Sequence, residues 1–186
     1  MSRQLPNALT LLRILLTPLI ALQLVADRFA LALALVLLAG LSDLLDGWLA
    51  RRYGWQTRLG GLLDPIADKL LVNTCFAGLW WTGALPGWLV ALVFARDVVI
   101  VAGACAFHWL IRPLQAAPTS LGKLNTVVQI GFILFCLLML SVPNLPSRLI
   151  DAGVFLVAAV ALASGADYVV RYAHRALRES SQERRE

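Results

Sequence analysis

The sequence predicts an all-α integral membrane protein, a bundle of six transmembrane helices with both termini in the cytoplasm. Of its 186 residues, 60% are hydrophobic and only 15% are charged, and the mean hydropathy is +0.77. This composition is more apolar than the core of a soluble protein of this size requires. Six apolar windows of about the length that crosses a bilayer follow one another, and positive charge gathers on alternate connections.

The apolar windows define the elements in chain order. They cover residues 8–26, 29–50, 62–83, 86–110, 124–142 and 148–170. The first window contains Arg13 and Pro18 and lacks a small-residue cleavage site, so we expect it to stay in the mature protein rather than act as a cleaved signal peptide. Without an internal repeat or a linker, the chain is predicted to form one membrane domain at residues 1–175, followed by a polar, disordered tail at 176–186.

Arginine is distributed unevenly between the two sets of connections. One set and the termini carry Arg3, Arg51, Arg52, Arg58, Arg112, Arg171, Arg175, Arg178, Arg184 and Arg185. The other set has Arg28 and Arg148. The positive-inside rule therefore places the first set in the cytoplasm. The net charge of the chain is +5, and its arginines lie at membrane-adjacent ends without forming a separate basic module. This distribution favours anionic lipid headgroups as partners and argues against nucleic acid.

Four aspartates lie in a short polar region between the second and third windows. Asp43 and Asp46 are three residues apart and Asp64 and Asp68 are four apart, so each pair shares one face of a predicted helix. Carboxylates beside hydrocarbon are costly unless they are paired, hydrated or bound to a cation. Shared metal ions would satisfy all four, and oxygen ligands favour Mg²⁺ or Mn²⁺. Ion pairs with neighbouring arginines, or helix capping by Asp64 before Pro65, are the alternatives.

Small and basic residues accompany these aspartates. Gly47, Ala50 and Gly60 each lie four residues from an aspartate, so the shared faces carry little side-chain bulk where a large polar ligand would approach. Arg51 and Arg52 close the second predicted helix at its C-terminal end, where cations suit the helix dipole and a guanidinium can donate two hydrogen bonds to a phosphate.

Together these residues form the pattern D-x2-D-G-x2-A-R-x8-G-x3-D-x3-D, which strongly resembles the signature of the CDP-alcohol phosphotransferases. All eight positions match at the spacing of that family, and the resemblance covers nearly the whole chain. It implies a six-helix transferase, usually a homodimer, that uses two divalent ions. It also implies that Asp43, Asp46 and Asp64 are the principal metal ligands, and that Asp68 is the general base and touches the second ion.

The resemblance further implies where the donor nucleotide binds. The predicted residues of the cytidine diphosphate site are Asn7, Thr10, Gly47, Ala50, Arg51 and Gly60. Asn7 and Thr10 are included because related transferases begin in a similar way. Alternatives remain open near this end: Asn7 could be a helix cap, and Arg13 could either snorkel to the membrane interface or contact the donor.

A second group of polar residues lies in the fourth and fifth windows. Arg96 and Asp97 interrupt the fourth window, where they could form an internal salt bridge, or Arg96 could contact the acceptor's phosphate as the resemblance implies. Lys123 could bind an anionic acceptor or snorkel to headgroups. Asn125 could contact the acceptor, cap a helix or form an interhelical hydrogen bond. We predict that Arg96, Lys123 and Asn125 form the acceptor site.

The stretches LAGLSDLLDGWLARR, FARDVVIV and GKLNTVVQ look most like the single-motif cardiolipin synthases, which join CDP-diacylglycerol to phosphatidylglycerol. Phosphatidylglycerophosphate synthases, which use glycerol 3-phosphate, more often carry glutamate at the position of Asp97 and lysine at that of Asn125. The preferred expectation is cardiolipin synthesis at the cytoplasmic face of a bacterial inner membrane, with phosphatidylglycerophosphate synthesis as the alternative. A cation transporter is the alternative from another class, but it would distribute polar residues across the membrane rather than gather them at one end.

Overall fold

The computed structural model describes residues 5–53, 58–110, 119–142 and 148–183, and all regular structure in this part of the chain is helical. The described helices are α1 (Leu5–Val25), α2 (Phe29–Tyr53), α3 (Arg58–Trp81), α4 (Gly87–Leu110), α5 (Ser120–Ser141) and α6 (Arg148–Glu183). Each helix overlaps one of the apolar windows. The all-helical prediction and the count of six helices are therefore confirmed for the described residues.

The turns after α1 and α3 each contain a residue with left-handed backbone. Asp27 has a φ of 55° and its N–H donates to the carbonyl of Leu24 at 3.0 Å. Gly83 has a φ of 76° and its N–H donates to the carbonyl of Trp80 at 2.9 Å. Glycine adopts this conformation without a steric penalty, and aspartate is one of the few other residues found there. These hydrogen bonds satisfy carbonyls at the C-terminal ends of the two helices.

The chain divides into two compact units. The first comprises residues 1–86 and 130–147, with α1, α2, α3 and the second part of α5, and within it α1 packs against both α2 and α3. Ile20 and Leu24 of α1 and Phe76 of α3 are fully buried, and the ring of Phe76 lies 6.5 Å from that of Phe132 on α5. Apolar packing therefore holds the helices that carry the acidic motif.

Gly78 allows α1 and α3 to approach closely. A Cβ atom at this position would lie 2.5 Å from Cδ1 and 3.0 Å from Cβ of Leu24, both shorter than an ordinary contact. Gly40 in α2 is different, because a Cβ atom there would meet nothing within 4 Å. The contact between α1 and α3 thus depends on a missing side chain at Gly78.

The second unit comprises residues 87–129 and 148–186, with α4, the first part of α5 and α6. Within it α4 packs against α6, and the rings of Trp88 and Phe155 lie 6.4 Å apart. The hydroxyl of Thr119 accepts the N–H of Gly122 at 3.0 Å and so caps α5. The residue that caps α5 is therefore Thr119 and not Asn125, because Asn125 lies inside the helix.

The backbone of α6 is helical as far as Glu183, within the segment 176–186 that was predicted to be a disordered tail. Ala, Leu, Arg, Gln and Glu are strong helix formers even where a segment is too polar to pack. The domain boundary at residue 175 and the disorder of the tail stay predictions.

Apolar side chains cover much of the exposed surface. On α1, Leu11, Leu15 and Leu22 each expose more than half of their surface. Two of the described helices, Ser120–Ser141 and Arg148–Arg171, are long and apolar enough to cross a membrane by length and composition. These findings are consistent with the membrane class. Six spans and cytoplasmic termini stay predictions.

Replacing Gly78 with alanine is expected to destabilise the protein, because the added methyl group overlaps Leu24. The expected loss of unfolding free energy is about 1–3 kcal/mol, the usual cost of overpacking. The matched control is Gly40→Ala, which adds the same group in open space and should be neutral or slightly stabilising through helix propensity. Thermal unfolding of both variants in detergent measures the difference. Equal midpoints for the two variants would contradict the close approach of α1 and α3.

Candidate active site

Three of the four predicted metal-binding aspartates contact side chains of α1. Thr10 donates its hydroxyl to Oδ1 of Asp64 at 2.5 Å. Nη1 of Arg13 donates to Oδ1 of Asp68 at 2.7 Å, and Nη2 of Arg13 forms an ion pair with Oδ1 of Asp43. Thr10 and Arg13 are three residues apart and so share one face of α1. This face brings together carboxylates from α2 and α3.

The partners in these contacts differ in burial. Thr10 and Arg13 are 1% and 0% exposed, whereas the side chains of Asp43 and Asp68 are 41% and 47% exposed. The cation therefore lies beneath the carboxylates, which remain open to a ligand on their other side. A buried guanidinium is costly without partners, and two carboxylates supply them here. Because Arg13 is fully buried and paired, the structure does not support snorkelling of its side chain to a membrane interface.

Several residues of the predicted donor site lie outside the part of the chain whose side chains the structure describes. These are Asn7, Ala50, Arg51 and Gly60, and the side chain of Asp46, a predicted metal ligand, lies outside it as well. Gly47 is partly exposed on α2, four residues after Asp43. Thr10 lies at the site, although its hydroxyl is engaged by Asp64. The nucleotide-binding roles of these residues stay predictions.

The oxygen donors at this site suit a hard divalent cation such as Mg²⁺ or Mn²⁺. Within the described part of the chain, no three His, Cys, Asp or Glu residues form a group that could hold a metal ion as they stand. The carboxylates instead contact Thr10 and Arg13, each through one oxygen. A carboxylate has a second oxygen that can bind a cation, and Asp46 is the remaining predicted ligand. The oxygen donor atoms of these residues therefore suit such an ion.

Arg96 and Asp97 form a buried network in the second unit. Nη1 of Arg96 donates to Oδ1 of Asp97 at 2.9 Å, and Nη2 donates to Oγ of Ser164 at 2.6 Å. Cζ of Arg96 lies 5.8 Å from the ring centroid of Tyr168, within the range of a cation–π interaction. Arg96 and Asp97 are both 8% exposed. The internal salt bridge, one of the two interpretations of the sequence, is present, and a contact with an acceptor stays a prediction.

The two predicted acceptor residues on α5 have different environments. Lys123 is exposed, whereas Asn125 is fully buried and neither amide atom has a hydrogen-bond partner among the described residues. Gln129 follows one turn later on the same face, is 1% exposed, and its Nε2 also lacks a partner in the described part of the chain. Buried amides without partners are costly, so these atoms call for a bound water or another polar group as a partner.

The motif and the resemblance did not select Gln129, Ser164 or Tyr168. Their spacing in the sequence could nevertheless have identified them. Ser164 and Tyr168 are four residues apart on α6, and Asn125 and Gln129 are four apart on α5, so each helix has a polar pair on one face of an apolar sequence. Such polar positions inside apolar helices usually face the protein interior.

These features define an all-helical protein with an apolar surface and a site of carboxylates that meet a buried arginine. The family model described as CDP-alcohol phosphatidyltransferase matches residues 3–165. Because this match covers most of the sequence, the chain belongs to the CDP-alcohol phosphatidyltransferase family. The membership predicted from the motif is thereby confirmed.

The relatives of this chain include proteins named as cardiolipin synthases and proteins named as phosphatidylglycerophosphate synthases. It is 37% identical over 144 residues to "Probable cardiolipin synthase (CMP-forming)" of Drosophila melanogaster, covering 69% of this chain and 45% of that protein. It is 35% identical over 175 residues to "Probable phosphatidylglycerophosphate synthase" of Mycobacterium tuberculosis, covering 90% and 80%. A "CDP-diacylglycerol--glycerol-3-phosphate 3-phosphatidyltransferase" of Aquifex aeolicus is 34% identical over 143 residues, covering 75% and 76%. The chain spans about half the length of the cardiolipin synthases it matches.

Replacing Arg96 with methionine removes the guanidinium partner of buried Asp97. The expected loss of unfolding free energy is about 3–5 kcal/mol, as for other buried ion pairs broken on one side. The double variant Arg96→Met with Asp97→Leu removes both charges and should recover a substantial part of this loss. Denaturant unfolding of the two variants and the parent protein measures the coupling. A double variant less stable than Arg96→Met alone would contradict the ion pair.

Proposed function

We propose that this chain transfers a phosphatidyl group from CDP-diacylglycerol to a hydroxyl of an anionic, glycerol-based acceptor and releases CMP. Phosphatidylglycerol is the proposed acceptor, which makes the product cardiolipin. The alternative is glycerol 3-phosphate, with phosphatidylglycerophosphate as the product. One observation carries the proposal: Asp43, Asp64 and Asp68 each contact Thr10 or Arg13 on one face of α1. All of these residues lie within the segment that matches the family.

The reaction requires a nucleophile at the phosphorus that carries the diacylglycerol. The acceptor hydroxyl oxygen forms a bond to this phosphorus, and the bond from phosphorus to the oxygen of CMP breaks, so that CMP leaves with the electron pair. The proton of the hydroxyl passes to the carboxylate of Asp68, the proposed general base. One oxygen of Asp68 accepts a hydrogen bond from Arg13, which fixes the orientation of the carboxylate, and the other oxygen can take the proton.

The remaining carboxylates are proposed to hold divalent cations, Mg²⁺ or Mn²⁺. Asp43, Asp46 and Asp64 are the proposed principal ligands, and Asp68 the additional ligand of a second ion. When bound, these ions neutralise charge on the pyrophosphate of the donor. Arg51, with its fixed fork of N–H donors, suits the same phosphates, while Gly47, Ala50 and Gly60 leave room for the nucleotide. Asn7 and Thr10 complete the proposed donor site.

The charges of the second unit support a singly charged acceptor. Arg96 is paired with Asp97, so this pair has no net charge, and Asn125 is an uncharged amide. Lys123 then remains as the one cation of the proposed acceptor site. A single positive charge suits the phosphodiester of phosphatidylglycerol better than the phosphomonoester of glycerol 3-phosphate, which carries more negative charge near neutral pH. The named relatives include enzymes of both kinds, so they support the class of acceptor rather than the choice within it.

The proposed location is the inner membrane of a bacterium, with six spans, both termini in the cytoplasm and the active site at the cytoplasmic face. The distribution of arginine along the sequence supports this orientation. The exposed leucines of α1 and the length and composition of α5 and α6 support a membrane environment. Membrane lipids would then surround the protein. The proposed assembly is a homodimer.

Variants of two aspartates are expected to separate metal binding from proton transfer. Asp68→Asn should lower turnover by about 10²–10⁴-fold with donor binding largely intact, because a general base is needed for acceptor deprotonation more than for donor capture. Asp43→Asn should weaken binding of both the metal and the donor. Isothermal titration of each variant with CDP-diacylglycerol and Mg²⁺, together with CMP release, measures the two effects. Equal loss of donor binding in both variants would contradict the assigned roles.

The identity of the acceptor is tested directly with purified protein in detergent. CDP-diacylglycerol and Mg²⁺ are supplied with phosphatidylglycerol, glycerol 3-phosphate, inositol phosphate or serine, and the lipid product is identified by mass. Cardiolipin from phosphatidylglycerol is the expected product, and EDTA should abolish its formation. Formation of phosphatidylglycerophosphate alone would refute the proposed acceptor and support the alternative. Absence of CMP release with every acceptor would refute the transferase activity.

A further inference from the structure

We propose that Arg13 is an internal cation that neutralises Asp43 and Asp68 in the metal-free protein and competes with the divalent ion for these carboxylates. The inference rests on the proposed function, because it concerns the ion of that same site. It assigns to Arg13 a role that neither the motif nor its spacing predicts. Arg13 lies on α1, outside the segment that contains the four aspartates.

The geometry of Arg13 supports this role. Its two terminal nitrogens contact carboxylates from two different helices, Asp43 of α2 and Asp68 of α3. Arg13 is fully buried, and its backbone carbonyl accepts the hydroxyl of Thr17 at 2.9 Å. Because α1 packs against both helices, the guanidinium is held where the two carboxylates converge.

The charges at the site determine how the loss of Arg13 should change metal-free stability and metal binding. Without Arg13, two carboxylates that belong to different helices would repel each other, so the guanidinium stabilises the arrangement of α1, α2 and α3 when no metal is present. A divalent ion at the same carboxylates would be repelled by the positive charge of the guanidinium that is buried against them. Removing the positive charge of Arg13 should therefore weaken the metal-free fold and strengthen binding of the ion. An arginine that only positioned ligands would strengthen both, so its loss would weaken both.

The test compares Mn²⁺ binding to purified protein in detergent without CDP-diacylglycerol. In Arg13→Met, the dissociation constant for Mn²⁺ is expected to fall by on the order of tenfold, since one nearby positive charge is removed. In EDTA the unfolding midpoint of this variant should be lower than that of the parent protein. Added Mn²⁺ should then raise the midpoint more in the variant than in the parent, because tighter binding to the native state gives greater stabilisation.

Three further variants isolate the effect of charge. Arg13→Lys keeps the positive charge and should keep a Mn²⁺ affinity close to that of the parent protein. Arg52→Met removes the same charge from an exposed position at the end of α2, where solvent and salt screen it, and should leave the affinity nearly unchanged. Arg13→Gln removes the charge but retains hydrogen-bond donors. It carries the same expectation as Arg13→Met and replaces it if that variant does not fold.

The outcomes separate this inference from the proposed function. Weaker or unchanged Mn²⁺ binding in Arg13→Met and Arg13→Gln, with normal binding in the parent protein, would overturn the competition and leave the proposed metal site standing. Equal tightening in Arg52→Met would also overturn it, because the effect would then be a general one of net charge. A parent protein that does not bind Mn²⁺ would refute the proposed metal dependence and this inference together.

Discussion

The ion pairs of Arg13 with Asp43 and Asp68 are the constraint on which the first unit depends. A guanidinium with no exposed surface would cost several kcal/mol without partners, and the two carboxylates offset that cost. The pairing requires α1 to pack against α2 and α3 at a fixed axial position along each helix. The close contact at Gly78 and the apolar packing around Leu24 serve the same alignment. The residues proposed to catalyse the reaction thus also take part in holding these helices together.

The second unit satisfies its buried charge in another way. Arg96 is balanced by its neighbour Asp97 and oriented by Ser164 and Tyr168, so the network is close to neutral. On α5, Asn125 and Gln129 place amide groups inside the protein with atoms that lack hydrogen-bond partners in the described residues. A buried polar atom without a partner calls for an explanation such as a bound water, an ion or a functional role. Their uncharged character matters, because the charge of the acceptor distinguishes the two proposed reactions.

The motif and the surrounding residues therefore carry different information. The aspartate motif identifies the family. Its proposed role in donor binding and transfer would be common to both proposed reactions, so the motif does not identify the acceptor. Acceptor choice is then expected to depend on residues outside the motif. In this chain the candidates are Arg96, Lys123 and Asn125, together with Gln129, which lies one helical turn beyond Asn125. The number of positive charges among them is the physical quantity that we expect to discriminate a phosphodiester from a phosphomonoester.

The sequence by itself determined the helical class, the positions of the six helices and the family, because apolar runs and a spaced aspartate motif are local patterns. It could not determine the partners of Arg13 or of Arg96, for which it allowed two interpretations each. Those partners lie up to 68 residues away along the chain, as between Arg96 and Ser164. Only the packing of helices brings such groups within hydrogen-bonding distance. The tertiary structure alone therefore decided that Arg13 lies beneath the carboxylates, since burial and pairing depend on contacts that spacing along one helix does not encode.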